Sequence, residues 1–199
     1  MDLNIGTKDP VNKILWDEID AKRSQGGFTL AANTPASGVT GWIFKGLPLN
    51  VNYTTRVAEV VKTATVITGS TTTATRIAKG SLFTVGDVIA NAIDGTGVAI
   101  TAIDRTTSPD YDILTHTTNG GAFAADTVLF EAAAVAEDGN AAYLFAANAL
   151  LSDNTKITGS ATLTAILSAQ EIIEANLPAP VSSEIKTALN ANGQYFQFV

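Results

Sequence analysis

Cysteine is absent from the 199 residues, which removes disulfides, thiolate nucleophiles and the common structural zinc sites at once. Histidine occurs once, and charge is sparse. Charged residues make up 16% of the chain, with Lys+Arg 12 against Asp+Glu 19 and a formal net charge of −7. No stretch gathers more than two cations. Phosphate neutralisation needs clustered Lys and Arg, so nucleic acid is not an expected partner. Long apolar runs are also missing. The most apolar region, Thr127 to Leu151, is broken by Glu131, Glu137, Asp138, Gly139 and Asn148, and nothing approaches the roughly 18 consecutive apolar residues of a membrane span. The opening MDLNIGTKDP lacks the basic-then-apolar pattern of a signal peptide. A chain made in the cytoplasm and staying soluble, with no membrane partner, is expected.

Hydrophobic residues nonetheless reach 46%, enough for a globular core at this length. Much of that content is Ala, with abundant Thr beside it, a mixture that suits β-structure with small side chains. Three regions separate by pattern. Residues 1–56 read as an N-terminal arm with one short helix, in which Asp9 caps, Pro10 opens the first turn, and Val11, Leu15 and Ile19 follow at helical spacing. The arm continues as an irregular segment from Phe28 to Asn52, studded with large apolar side chains that must lie on something. Residues 57–150 read as a β-sandwich or barrel module. Short β-branched runs alternate there with turn signals at Gly69-Ser70, Lys79-Gly80, Gly86-Asp87, Asp94-Gly95, Ser108-Pro109-Asp110, Asn119-Gly120-Gly121 and Asp138-Gly139-Asn140. Residues 151–199 read as a two-helix segment with an aromatic tail. Ser160 caps a first helix with Leu163, Ile166, Leu167, Ile173 and Leu177 on one face, and a second starts near Ser182 or Ser183 with Ile185 and Leu189 inside. The predicted class is mainly β with a C-terminal helical segment, α+β overall.

Residues able to carry chemistry are few. His116 sits in a strand-like Leu114-Thr115-His116-Thr117 with no acid beside it, which favours a structural role. Gly95-Thr96-Gly97 is half of a dinucleotide fingerprint, but a strand and not a helix follows it, so a hairpin turn explains the glycines. No P-loop or Gly-x-Ser-x-Gly elbow occurs. Asp104, Asp110 and Asp112 are the best calcium candidates, yet they lack the alternating ligand spacing and closing Glu of an EF-hand. Glu171 and Glu174 read as a solvated helix flank. No catalytic residue, cofactor site or metal site is therefore assigned, and no enzyme is expected.

One succession of residues carries a family likeness. It runs through Val60-Val61-Lys62-Thr63-Ala64, then Arg76-Ile77-Ala78-Lys79-Gly80-Ser81-Leu82-Phe83-Thr84-Val85-Gly86-Asp87-Val88-Ile89, Ala102-Ile103-Asp104, Tyr111-Asp112-Ile113-Leu114 and Asp126-Thr127-Val128-Leu129-Phe130-Glu131-Ala132. This pattern resembles small β modules of tailed-bacteriophage virion proteins, in particular auxiliary capsid (decoration) and head-fibre proteins, those of crAss-like phages included. The likeness covers roughly Val57 to Ala134 and consists of packing and turn residues. Within it, Gly86 supplies backbone freedom to a tight turn, and Asp87 is placed to bond back to the chain.

The resemblance implies function by attachment. The chain would sit on the virion capsid surface, bind the major capsid protein, and decorate or stabilise the head shell. It would do so as a homo-oligomer, with a trimer suiting a three-fold lattice site. Interface candidates are Trp42, Ile43 and Phe44 in the arm and Tyr195, Phe196 and Phe198 in the tail, because buried aromatics carry interface energy; packing on the chain's own barrel is the competing reading. Alternatives are a head-fibre base, a head–tail or tail component, or a host-glycan-binding module.

Overall fold

A computed structural model describes residues 14–31, 41–119, 121–136, 139–157 and 161–199. Among them the strands run, in chain order, β1 (Lys22–Arg23), β2 (Phe28–Leu30), β3 (Gly41–Ile43), β4 (Pro48–Asn52), β5 (Val57–Val60), β6 (Thr63–Thr65), β7 (Ala74–Ala78), β8 (Val88–Ala90), β9 (Val98–Asp104), β10 (Tyr111–His116) and β11 (Val128–Ala132). β12 (Ala149–Leu151), β13 (Thr155–Ile157), β14 (Thr162–Leu163) and β15 (Ala165–Ile172) precede the helix α1 (Ser183–Leu189), and β16 (Tyr195–Phe198) follows it. The chain divides into two compact units: Lys62–Phe145 forms one, and the segments on either side of it together form the other.

The contiguous unit is a closed barrel. Its six strands pair antiparallel in the order β6-β11-β8-β9-β10-β7. The ring shuts where Val66 bridges Ile77 and the Ile67 N–H donates to the Arg76 carbonyl at 2.9 Å. Side chains alternate across each strand, and the inward set comprises Ala64, Val66, Ile77, Ile89, Val98, Ile100, Leu114 and Leu129. Two loop residues, Phe83 and Phe123, complete this core. A smaller cluster of Ala90, Phe130, Ala132 and Ala141 covers the outward side of β8 and β11, with the Tyr143 and Phe130 ring centroids 4.3 Å apart.

The discontinuous unit is a sheet in the order β1-β15-β12-β4-β5-β2-β14, with β16 lying parallel to β15. Its two ends meet in one antiparallel ladder, in which β1 and β2 run along β15 and β14, joined by the Ser24 N–H donating to the Ala165 carbonyl and the Leu30 N–H to the Ala161 carbonyl. A separate two-stranded ribbon joins β3 to β13. Phe28, Leu49, Leu150, Leu151 and Leu163 are among its fully buried side chains. The helix α1 is capped by the Ser182 hydroxyl, which accepts from the Ile185 N–H at 3.3 Å, and it buries Ile185 and Leu189.

The β-rich class with a C-terminal helix is what the sequence predicted, and the internal boundaries differ in instructive ways. The barrel is Lys62–Phe145 and not 57–150, because β5 pairs with β4 and belongs to the sheet. The supposed arm supplies β2, β3 and β4: Phe28 and Leu30 alternate inward, as do Leu47, Leu49 and Val51. Of the helix expected near Val11 to Ile19, Asp9, Pro10 and Val11 lie outside the described residues, and 14–20 is not helical. The first C-terminal helix is corrected more fundamentally. Its cap, Ser160, lies outside the described residues, and Leu163 and Ile166 belong to β14 and β15. The second helix is present, and Gly193 beyond it takes φ +77°.

Candidate functional site

The resemblance pattern lies almost wholly in the barrel, and its long Lys79-to-Asp87 stretch is the connection between β7 and β8. Gly80 at φ +88° and Gly86 at φ +99° let this connection turn at both ends. Between them Phe83 is driven fully into the core, so the loop plugs the barrel.

Two ionic clusters hold the plug. In the first, Asp112 is 1% exposed and lies 2.8 Å from Lys79 Nζ and 3.0 Å from Arg105 Nη1. Arg105 also donates to the Ser81 carbonyl at 3.1 Å and the Phe83 carbonyl at 2.7 Å, and Lys79 donates to the Arg105 carbonyl at 2.6 Å. A guanidinium fork suits this multiple bridging in a way that an ammonium does not. In the second cluster, Lys62 Nζ lies 2.7 Å from Asp87 Oδ2 and 3.0 Å from Glu131 Oε1. Asp87 further accepts from the Thr84 N–H at 2.7 Å and the Thr84 hydroxyl at 3.0 Å. This is the back-bond expected of it from sequence. Lys62 and Glu131 are buried. Burial, followed by the Asp87 charge, pushes the Glu131 carboxyl up to about 7 against the opposing pull of Lys62.

All three ions of the second cluster stand at inward phase. Lys62 is two residues from inward Ala64, Asp87 two from Ile89, and Glu131 two from Leu129. Sequence reading missed the cluster because each charge taken alone reads as solvated. The period-2 match of a charge to a core strand was the available signal.

The other candidates resolve into structural roles. His116 is buried, and its Nδ1 lies 2.8 Å from the Thr117 carbonyl, to which it donates. Nε2 is then the acceptor for the Thr75 hydroxyl at 2.9 Å. The Asp104 carboxylate accepts from Thr106 and Thr107 in a tight turn, and these hydrogen bonds, Thr107 foremost, hold it well below the usual carboxylate range. Asp110 is exposed and its N–H donates to the Ser108 hydroxyl. Asp104, Asp110 and Asp112 thus do not converge, and among the described residues no group of three or more His, Asp or Glu is arranged to hold a metal. The Gly95 N–H donates to the Ala92 carbonyl and the Gly97 N–H to Ala136, so these amides are already engaged within the turn. Glu171 is exposed at φ +51°, and Glu174 pairs with Lys186 at 2.6 Å.

The six interface candidates all fall in the discontinuous unit and split by exposure. Ile43 and Phe196 are 2% and 3% exposed and belong to that unit's own core. Phe44 and Phe198 are half-buried, with Lys186 Nζ 5.3 Å from the Phe198 ring centroid. Trp42 at 45% and Tyr195 at 55% face outward. Tyr53 in the same unit is 48% exposed, and its hydroxyl lies 3.5 Å from Gln194 Nε2, beside Tyr195. Sequence reading did not select Tyr53.

Among the described residues no helix is long and apolar enough to cross a membrane. Comparison with family models, with curated proteins and with solved structures gave no match.

Proposed function

We propose that this chain is a virion structural protein that binds the major capsid protein and decorates or stabilises a phage head shell. The observation that carries the reading is the fate of the resemblance pattern. Its Lys-Gly-x-Leu-Phe-x-Val-Gly-Asp stretch builds one feature, the plug of a closed barrel, and its charged members pair to hold that plug. A pattern with one joint architectural purpose is a stronger marker of a module than scattered packing residues would be. The discontinuous unit contributes outward aromatics, Trp42, Tyr53 and Tyr195, of the type that anchors protein interfaces. Attachment is accordingly assigned to that unit, on the capsid surface of a homo-oligomer, with no catalytic step.

The test is the copy number of this chain per purified particle of the phage that encodes it, by quantitative mass spectrometry against the major capsid protein. A ratio matching the lattice sites is the expected result. A handful of copies per particle would move the chain to a head fibre or tail part, and its absence from particles would end the virion reading.

A further inference from the structure

The Lys62–Asp87–Glu131 cluster holds the same loop as Asp112 and its two cations, and it differs in setting one buried amine against two carboxyls. A buried lysine flanked by two carboxylates carries a net negative charge, and buried ions are costly unless neutralised. An aspartate side chain touching a lysine amine, with a second carboxyl beside both, also holds every reactant for amide formation. From this geometry we infer that Lys62 and Asp87 condense into an intramolecular isopeptide bond, with Glu131 as the proton carrier. The inference concerns the barrel alone and stands whatever the chain binds.

The step balances without any co-reactant. A proton passes from the Lys62 ammonium to the Asp87 carboxylate, leaving a free amine and a neutral acid. The Nζ lone pair attacks Asp87 Cγ, and a C–N bond forms. Glu131 takes the second proton from Nζ and hands it to the departing oxygen. The C–O bond then breaks, water leaves, and Glu131 returns to its starting state. Nothing is oxidised or reduced.

Each contact suits its part. Nζ lies 2.7 Å from Oδ2, the oxygen to be lost, and 3.0 Å from Glu131 Oε1. The Thr84 hydroxyl, 3.0 Å from Oδ1, holds the oxygen that becomes the amide carbonyl and donates to it as charge develops there. Glu131 is pushed up to about 7, which suits a group that both accepts and returns a proton near neutrality. Holding the reactants in contact supplies the proximity that a bimolecular amidation lacks. The product replaces a buried ion pair by a neutral amide.

The test is the denatured mass of the wild-type chain with peptide mapping. The expected result is a protein lighter by one water, with the peptides carrying Lys62 and Asp87 joined and no tryptic cleavage at Lys62. Asp87→Ala should restore full mass, and Glu131→Gln should remain at full mass while folded. A wild-type chain at full mass, with Lys62 cleaved by trypsin after unfolding, would overturn the inference. So would a water loss mapped to Asp94-Gly95, where a cyclic imide has the same mass. Equal condensation in Glu131→Gln would remove Glu131 from the step. The wild-type measurement decides the bond even where a variant fails to fold.

Discussion

The two units build their β cores from differently arranged stretches of chain. The barrel is continuous in sequence and closes on itself, so its backbone hydrogen-bonding groups find partners around a ring. The sheet draws its strands from both sides of that segment, and β1 with β2 lies along β15 with β14 in a single ladder that brings the two ends of the order together. On β16 the Asn190 side chain acts as a substitute strand: its Oδ1 accepts from the Phe196 N–H at 2.6 Å and its Nδ2 donates to the Phe196 carbonyl at 3.0 Å. The barrel places charge inside, where Lys62, Asp87, Asp112 and Glu131 hold a loop. The sheet has a simpler apolar interior and carries its aromatics outward. Continuity in sequence, more than size, separates the two designs.

The sharpest way to break the comparison is truncation. A chain ending at Phe145 loses β12 to β16 and with them β4's partner on one side, so the sheet unit should unfold outright. The barrel should survive, giving dispersed amide resonances and slow hydrogen exchange confined to Lys62–Phe145. Loss of both units together would show that the barrel depends on the sheet.

A core truncation inside the plug comes next. Phe83→Ala should cost about 3–5 kcal/mol in the urea transition of the barrel and leave that of the sheet in place. A shift of both transitions by equal amounts would mean that the units unfold as one.

A smaller effect separates them by pH. Glu131 sits at about 7 in the folded barrel against an ordinary value of 4.5, so the folded chain binds more protons than the unfolded one across that interval. Its contribution to stability is therefore present at acid pH and is lost as pH rises from about 4.5 through about 7. Burial remains the first cause whether or not Lys62 and Asp87 have condensed. The barrel's urea midpoint should fall between pH 5 and pH 8, and Glu131→Gln should flatten that fall. A midpoint independent of pH in the wild type would show that Glu131 titrates normally.

The smallest change belongs to the sheet. Asn190→Ala removes three side-chain hydrogen bonds, two to the Phe196 backbone and one to the Lys186 carbonyl, and should cost the sheet about 1–2 kcal/mol, with faster exchange at the Phe196 amide and no change in the barrel.

Much of the barrel was legible because turn chemistry is local. Gly69, Gly80, Gly86 and Gly139 all take positive φ at the turns where sequence placed them, and the strands fall between. The helix expected from Ser160 to Leu177 failed because Leu163, Ile166 and Ile173 satisfy helical spacing while the sheet offers β15 more than local propensity can. That strand pairs with β1, β12 and β16, and none of those neighbours is visible from within the segment. The ionic clusters were hidden for a related reason. Glu131 meets Lys62 across 69 residues and Asp87 meets it across 25, so only closure of the barrel reveals that the three charges share an interior. For the interface candidates, aromatic composition located the unit, but burial divided Ile43 and Phe196 from Trp42 and Tyr195.

Strand β4 gives the chain its modular grammar. Leu49 pairs with Val60 of β5 on one side and with Ala149 of β12 on the other, both antiparallel. β5 and β12 therefore run the same way with β4 between them, and everything from Lys62 to Phe145 is a crossover in the sheet's own connectivity. A crossover can be of any length provided that it spans two strand spacings, roughly 10 Å, plus the length of the central strand. The DNA for residues 62–145 is thus a cassette whose exchange or loss would break no pairing in the sheet.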